Sequence, residues 1–144
     1  MAPEVTLSTT AKPSTAELAR LFAQATWAAS RDEATIRTIL DHTAVFVTVR
    51  KDGVLVGFGR ALSDGACRAL VDDVVVDTEL RESGIGSRIM SSLMAQLEGI
   101  EEVFLNTGPA LQAFYARFGF VPHEGLTMRA DARSRQSRRQ QHRR

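Results

Sequence analysis

A turn of the form Arg-x-x-Gly-x-Gly, at residues 81–86, is the feature of this chain with the clearest chemical meaning. It follows the apolar, β-branched run Val74-Val75-Val76 and leads into residues whose apolar positions recur at helical spacing. The first amide groups of a helix have no intrahelical acceptor, and the helix dipole adds partial positive charge there. Glycines at 84 and 86 let a ligand approach the backbone closely because they carry no Cβ. The sequence therefore predicts a strand, a tight turn and a helix start that bind a phosphate group.

The same turn differs from two common nucleotide-binding loops. A dinucleotide fingerprint requires glycine where Ile89 stands, and a nucleoside-triphosphate loop requires a lysine, which this turn lacks. The alternative to a phosphate site is a glycine-bearing helix start that binds no ligand.

A second motif follows a strand-like run at residues 103–107. Four apolar residues recur there at helical spacing: Leu111, Phe114, Tyr115 and Phe118. Gly119 is the type of residue that ends a helix, and Pro122 prevents the helix from resuming. This pattern predicts a short helix with one apolar face.

The Arg-x-x-Gly-x-Gly turn and the Phe-Tyr-x-x-x-Gly-Phe pattern of residues 114–120 resemble, in this order, two signatures of the GCN5-related N-acetyltransferase superfamily. The resemblance extends over roughly residues 43–128, and includes small bacterial and plastid arylalkylamine (serotonin-type) members. It implies an α+β fold with a mixed central β-sheet flanked by helices. In that fold two central strands diverge and admit acetyl-CoA, which would be the cosubstrate.

The resemblance also implies how the coenzyme is bound. Pantetheine would pair with the backbone of Val74 and Val76 like an added strand, and amides of residues 82–87 would surround the pyrophosphate. Arg81 is expected to orient the loop, the alternative being a surface ion pair with Glu79 or Glu82. Asn106 is expected to contact the pantetheine amide or a water molecule, the alternative being a strand-end cap. The predicted cofactor-binding residues are Val74, Val75, Val76, Arg81, Glu82, Ser83, Gly84, Ile85, Gly86, Ser87 and Asn106.

Acetyl transfer to an amine requires a proton acceptor and a proton donor. Tyr115 is the only tyrosine in the chain, and it falls where many relatives place the acid that protonates the coenzyme A sulfur. The alternative is a core aromatic whose hydroxyl is already hydrogen-bonded.

Asp72 and Asp73 interrupt an apolar strand, where polar groups cost free energy unless they are paired or used. Successive strand residues face opposite sides, so only one of the two is expected to reach the cleft. Relatives with an aspartate just before a Val-Val-Val-Asp run favour Asp73 as the base, directly or through water. An aspartate exposed at a bulge or edge is the alternative.

The acceptor is expected to be a small primary amine, of the arylalkylamine or polyamine type. Trp27 would offer an aromatic wall, while Glu124 would pair with the ammonium and His123 would act as a second candidate base. The predicted substrate-binding residues are Trp27, Asp72, His123 and Glu124. Each has a plainer alternative as an ordinary loop or core-edge residue. The sequence favours no metal site.

Composition and charge predict one domain over residues 1–129 and a basic, disordered tail over 130–144. From Arg129 to the end of the sequence there are seven arginines and one aspartate, for a net charge of +6, against −5 for residues 1–128. The acidic body favours cationic substrates. The expected location is cytoplasmic, because no secretory or membrane-spanning pattern is visible. A homodimer is expected only by analogy with the superfamily.

Two other functions remain open from sequence. One is acetylation of protein lysines or N-termini. The other is a non-catalytic acyl-CoA-binding module whose basic tail contacts nucleic acid.

Local signals predict the remaining elements. Capping boxes at Ser14 and Ser30 predict two helices, and the turns at residues 51–53 and 64–65 predict two hairpins. Phe120–Val121 and Leu126–Arg129 are predicted as the last strands.

Overall fold

The computed structural model describes residues 4–132 and 139–143. A five-stranded sheet has the order β1-β2-β3-β4-β5; the first four strands are antiparallel, and β5 pairs parallel to β4. The α+β fold with a mixed sheet is therefore as predicted. The strands are β1 Thr6–Ser8, β2 Val45–Lys51, β3 Val54–Ser63, β4 Arg68–Val76 and β5 Glu102–Phe104, and the helices are α1 Thr15–Phe22, α2 Glu33–His42, α3 Ile85–Gln96 and α4 Gln112–Ala116.

Two apolar layers cover the two faces of the sheet. Helices α1 and α2 pack on one face around Phe22, Ile36 and Phe58, whereas α3 packs on the other through Ile89 and Leu93. Helix α3 lies unusually close to β3, because a Cβ at Gly59 would come within 2.6 Å of the Ile89 side chain. This close packing fixes the start of α3 relative to the sheet. None of the helices in the described residues is long and apolar enough to cross a membrane.

The first helix begins with the predicted capping box. The Ser14 hydroxyl accepts from the Glu17 amide at 3.1 Å, and the Glu17 carboxylate accepts from the Ser14 amide at 3.0 Å. The same carboxylate is bound by the Arg50 guanidinium of β2. These contacts lower the pKa of Glu17 to about 2, chiefly through the hydrogen bond from Arg50. Glu17 therefore joins the cap of α1 to the sheet.

We expect Glu17→Gln to lower the free energy of unfolding at neutral pH, because it removes the ion pair with Arg50 and alters the cap of α1. The loss should be only about 1 kcal/mol, because the side chains of Glu17 and Arg50 are each 30% exposed and solvent weakens their attraction. The folded pKa lies below the ordinary value of 4.5, so the wild-type advantage is present above pH 4.5 and is lost as the pH falls towards 2. Urea unfolding at several pH values measures this. Glu33→Gln, at the exposed start of α2, is the matched control, and an equal loss there would contradict the assignment.

Five local predictions need correction. Helix α2 is capped by Asp32, whose carboxylate accepts from the Thr35 amide at 2.8 Å, and not by Ser30. The predicted strands Phe120–Val121 and Leu126–Arg129 are absent, and Val121, Leu126 and Met128 are more than 80% exposed. Apolar residues alternate there as in a strand, but no strand among the described residues lies beside this segment to pair with it. The predicted strand at 103–107 forms only as β5, and the predicted helix of residues 109–118 is reduced to a 3-10 turn followed by α4.

The tail is described only in part. Residues 139–141 have helical backbone, and the disorder predicted for residues 130–144 stays a prediction. Positions 133–138 and 144 lie outside the described residues, so the prediction is not tested there.

Candidate functional site

One edge of β4 is open over its second half. Strands β4 and β5 pair only through Arg68–Leu70 and Glu102–Phe104, and beyond Leu70 no strand among the described residues continues that pairing. The Asp77 amide donates to the Val56 carbonyl of β3 at 2.8 Å. Because the backbone groups of alternate residues face opposite edges, those of Val74 and Val76 face the open side. An extended ligand can therefore hydrogen-bond there as an added strand.

The glycine loop, residues 81–87, lies directly after this edge. Glu82 and Gly84 have φ values of 62° and 89°, and α3 begins at Ile85. The first intrahelical bond runs from the Arg88 amide to the Gly84 carbonyl at 3.2 Å, which leaves the amides of residues 85–87 without intrahelical acceptors. A Cβ at Gly84 would meet no atom within 4 Å. Free donors facing open space are what a phosphate requires, so the predicted loop residues fit the coenzyme's pyrophosphate.

Two side chains, Arg81 and Gln24, lie at the loop or at the segment before it, and the role of Arg81 in orienting the loop stays a prediction. Arg81 is exposed, and its expected alternative pairing with Glu79 or Glu82 is not among the ion pairs of the described residues. Gln24, which sequence reasoning missed, donates to Asp77 Oδ2 at 3.2 Å and accepts from the Thr78 amide at 2.8 Å. A residue just after α1 therefore hydrogen-bonds the segment that leads into the glycine loop.

A β-bulge places Asp72 and Asp73 together. Between Phe58↔Val75 and Arg60↔Asp72 the strand β4 contains one residue more than β3. The expectation that these two carboxylates face opposite sides is therefore wrong, because the bulge interrupts the alternation. Arg60 reaches both of them, with Nε 2.7 Å from Asp73 Oδ2 and Nη2 3.8 Å from Asp72 Oδ2.

Asp73 is enclosed by cations. Its side chain is 0% exposed, Arg31 Nη1 lies 2.9 Å from the same Oδ2 atom, and its backbone φ is 52°. We therefore correct the prediction that this carboxylate can contact an acceptor amine directly, because two guanidinium groups shield its side chain. Oδ1 is buried and accepts no hydrogen bond from the described residues. A role as base through water, acting at Oδ1, stays a prediction, and Asp72 is the more accessible carboxylate, at 40% exposure.

Tyr115 lines a groove of about 820 Å³ formed by residues between Glu101 and Thr127, with none from β4. Its ring contacts Phe114 and Phe120, with centroids 5.0 and 6.2 Å away. Its hydroxyl makes no hydrogen bond among the described residues, which argues against the alternative of a fully satisfied core tyrosine. Burial raises the pKa of this phenol, so the group keeps its proton at neutral pH.

Asn106 and His123 line the same groove. His123 stacks near Phe104, and its Nδ1 accepts from the Gly125 amide at 2.8 Å. This hydrogen bond uses the lone pair of Nδ1, and a role for His123 as a second base stays a prediction. Asn106 is exposed, and no side-chain cap of the strand end is formed.

Glu124 and Trp27 are exposed loop residues and do not line this groove. Trp27 is 58% exposed, and its role as an aromatic wall stays a prediction. It lies between α1 and α2, on the same segment as Arg31, which forms an ion pair with Asp73.

The model of the acetyltransferase (GNAT) domain family matches residues 41–122, which is more than half of the chain. The chain belongs to the GNAT family. A solved GNAT-family structure from Xanthomonas campestris pv. campestris superposes with a TM-score of 0.79 at 29% identity, covering 91% of this chain and 96% of that one. This chain therefore shares both the family and the fold of that structure.

Three plant relatives are similar over parts of the chain. GCN5-related N-acetyltransferase 1, chloroplastic, of Arabidopsis thaliana is 37% identical, and serotonin N-acetyltransferase 2, chloroplastic, of Oryza sativa subsp. japonica is 33% identical; each match covers 63% of this chain and 48% of the relative. Glucosamine 6-phosphate N-acetyltransferase 1 of the same rice is 43% identical over 35% of this chain and 32% of its own. The chain spans about half the length, or less, of these relatives.

Proposed function

We propose that this GNAT protein transfers the acetyl group of acetyl-CoA to a small primary amine by direct attack in a ternary complex. The observation that carries the proposal is the open edge of β4, which ends at a glycine loop with free amide donors. An extended pantetheine arm and an anionic diphosphate match these two neighbouring features in shape and charge.

Few groups would take part in the acetyl transfer. Acetyl-CoA supplies an acetyl thioester, and the amine must attack it in the neutral form, which an alkylammonium provides only after losing a proton. The Tyr115 hydroxyl, protonated and without a partner, would give a proton to the departing sulfur. Proton removal from the amine would go through water to the Asp73 Oδ1 atom or to Asp72.

Two observations bear on the class of the acceptor. The negative charge of residues 1–128 favours cations, and one relative is a serotonin acetyltransferase. Another relative acts on glucosamine 6-phosphate, so the amine panel that tests the proposal should contain arylalkylamines, polyamines and an amino sugar phosphate. We also propose a cytoplasmic location, as expected from the sequence.

We expect acetyl-CoA to bind with micromolar affinity, about −8 kcal/mol, and Gly84→Trp to abolish this binding. The Trp side chain would occupy the open space that the loop amides face. Isothermal titration calorimetry measures both. Gly99→Trp is the matched control, because Gly99 has a similar φ of 85° and equally open surroundings beyond the far end of α3.

Turnover of any panel amine would support the enzyme. Coenzyme binding without turnover of any amine would favour an acceptor in a protein or a non-catalytic acyl-CoA-binding module. Failure of the intact protein to bind acetyl-CoA would overturn the proposal.

A further inference from the structure

Gln24 hydrogen-bonds the first two residues of the connection between β4 and α3, which runs over residues 77–84. Its side-chain amide group donates to Asp77 Oδ2 at 3.2 Å, and its side-chain oxygen accepts from the Thr78 amide at 2.8 Å. Because a carboxylate only accepts and a backbone amide only donates, this pair needs a donor and an acceptor at one side-chain end. Glutamine supplies both, whereas an ionised glutamate, a leucine or a lysine does not.

Gln24 itself is held on a fixed part of the fold. Phe22 and Ala25, close to it in sequence, are 1% and 2% exposed, and the Gln24 backbone amide donates to the Leu21 carbonyl at 3.1 Å. Its side chain is half-buried, so water competes less for its hydrogen bonds than it would at an exposed position. Gln24 can therefore act as a rigid support for residues that lie outside the core.

The connection that Gln24 supports has little packing of its own. Among the side-chain hydrogen bonds of the described residues, only the two of Gln24 join residues 77–84 to another part of the fold. Glu82 has a φ of 62°, a conformation that costs free energy for a residue other than glycine unless the surroundings impose it. Most of the connection is exposed, namely Thr78, Glu79, Arg81, Glu82 and Gly84. Its conformation therefore depends on few contacts.

A series of local hydrogen bonds leads from Gln24 to the glycine loop. The other carboxylate oxygen of Asp77, Oδ1, accepts from the Glu79 amide at 3.0 Å and caps the 3-10 turn that ends at Leu80. The Leu80 carbonyl in turn accepts from the hydroxyl of Ser83, which belongs to the glycine loop. The orientation that Gln24 gives to Asp77 is thus passed on to the loop.

We infer that Gln24 is a positioning residue, which holds the glycine loop in the conformation that binds the coenzyme. The inference rests on the proposed use of acetyl-CoA. A loop that is already ordered loses less conformational entropy on binding, so its affinity for the ligand is higher. Gln24 acts through Asp77 and Thr78 and takes no part in proton transfer.

Gln24→Leu keeps the approximate size of the side chain and removes both hydrogen bonds. We expect this variant to bind acetyl-CoA about tenfold more weakly than wild type, as measured by isothermal titration calorimetry. Gln96→Leu is the matched control, because Gln96 is also half-buried and its side chain donates to the Phe46 carbonyl of β2 at 3.0 Å. Gln96 lies at the end of α3 away from the glycine loop, so its loss should lower stability and leave the affinity for acetyl-CoA unchanged.

A reversed hydrogen bond separates positioning from a general loss of stability. Gln24→Glu places a second carboxylate against Asp77, so it should also weaken acetyl-CoA binding. Adding Asp77→Asn restores a donor and an acceptor in the opposite direction, and it keeps an oxygen for the Glu79 amide. The double variant should therefore recover most of the affinity that Gln24→Glu loses.

Three results would overturn the inference and leave the proposed function intact. The first is an unchanged affinity of Gln24→Leu for acetyl-CoA, and the second is an equal loss of affinity in Gln96→Leu. The third is a double variant that binds acetyl-CoA no better than Gln24→Glu alone. Absence of acetyl-CoA binding by wild type would overturn both the inference and the proposed function.

Discussion

We expect Tyr115→Phe to lower kcat for acetyl transfer by about 10²- to 10³-fold, and to change the dissociation constant for acetyl-CoA by less than about twofold. The reason is that the substitution removes one hydroxyl that has no other partner in the described structure and keeps the ring in its contacts with Phe114 and Phe120. Steady-state kinetics with the best amine of the panel, together with calorimetry, measure the two quantities separately.

The pH dependence gives a second, independent readout. Burial raises the pKa of Tyr115, so the protonated donor persists beyond the ordinary tyrosine value of about 10. We therefore expect kcat of wild type to hold through neutral pH and to fall only at more alkaline pH, as the phenol loses its proton. In Tyr115→Phe this alkaline fall should disappear.

Phe120→Leu is the matched control for Tyr115→Phe. It loosens the ring packing next to Tyr115 but keeps the hydroxyl, so it should reduce kcat far less. If both variants lost activity equally, the effect would lie in packing, and the assignment of Tyr115 as the acid would be wrong.

The elements that carry the coenzyme site could be predicted because their signals are local. The glycine at position 84, its positive φ and the helix that begins at Ile85 follow from a short sequence segment. The Ser14 capping box is equally local, and the structure contains both of its reciprocal hydrogen bonds. These two predictions depend on neighbours within one or two helical turns, although the equally local signal at Ser30 did not form because Asp32 caps α2 instead.

The environment of Asp73 could not be predicted in the same way, because it depends on a bulge and on residues from two distant segments. One signal was present: Arg60 interrupts the apolar run of β3, as the two aspartates interrupt that of β4, and a buried charge requires a partner. Arg31, in the connection between α1 and α2, carries no such signal. Arg117 likewise meets Ser87 only through packing of α4 against the start of α3.

The second large effect that we expect is on stability: Asp73→Asn should lower the free energy of unfolding by about 3 kcal/mol. The carboxylate is 0% exposed and lies within 3 Å of Arg31 and Arg60, so its loss leaves two guanidinium groups without their buried anion. Asparagine suits this position because its size is the same and it tolerates the positive φ of 52°. The substitution therefore isolates the charge, and urea unfolding at neutral pH measures it.

Asp72→Asn is the control for this prediction, because its carboxylate is 40% exposed and 3.8 Å from Arg60; a change below about 1 kcal/mol is expected.

A double variant tests the buried pairing. Combining Asp73→Asn with Arg31→Met should lower the free energy of unfolding by less than the sum of the single variants, because Arg31→Met removes a cation that Asp73→Asn leaves unpaired. Additive losses would contradict the buried pairing. Activity tests the proposed base separately: if Asp73 only forms the buried ion pairs, Asp73→Asn leaves the shape of the pH profile of kcat/KM unchanged. If Asp73 accepts the amine proton through water at Oδ1, the variant loses the limb that reports this base.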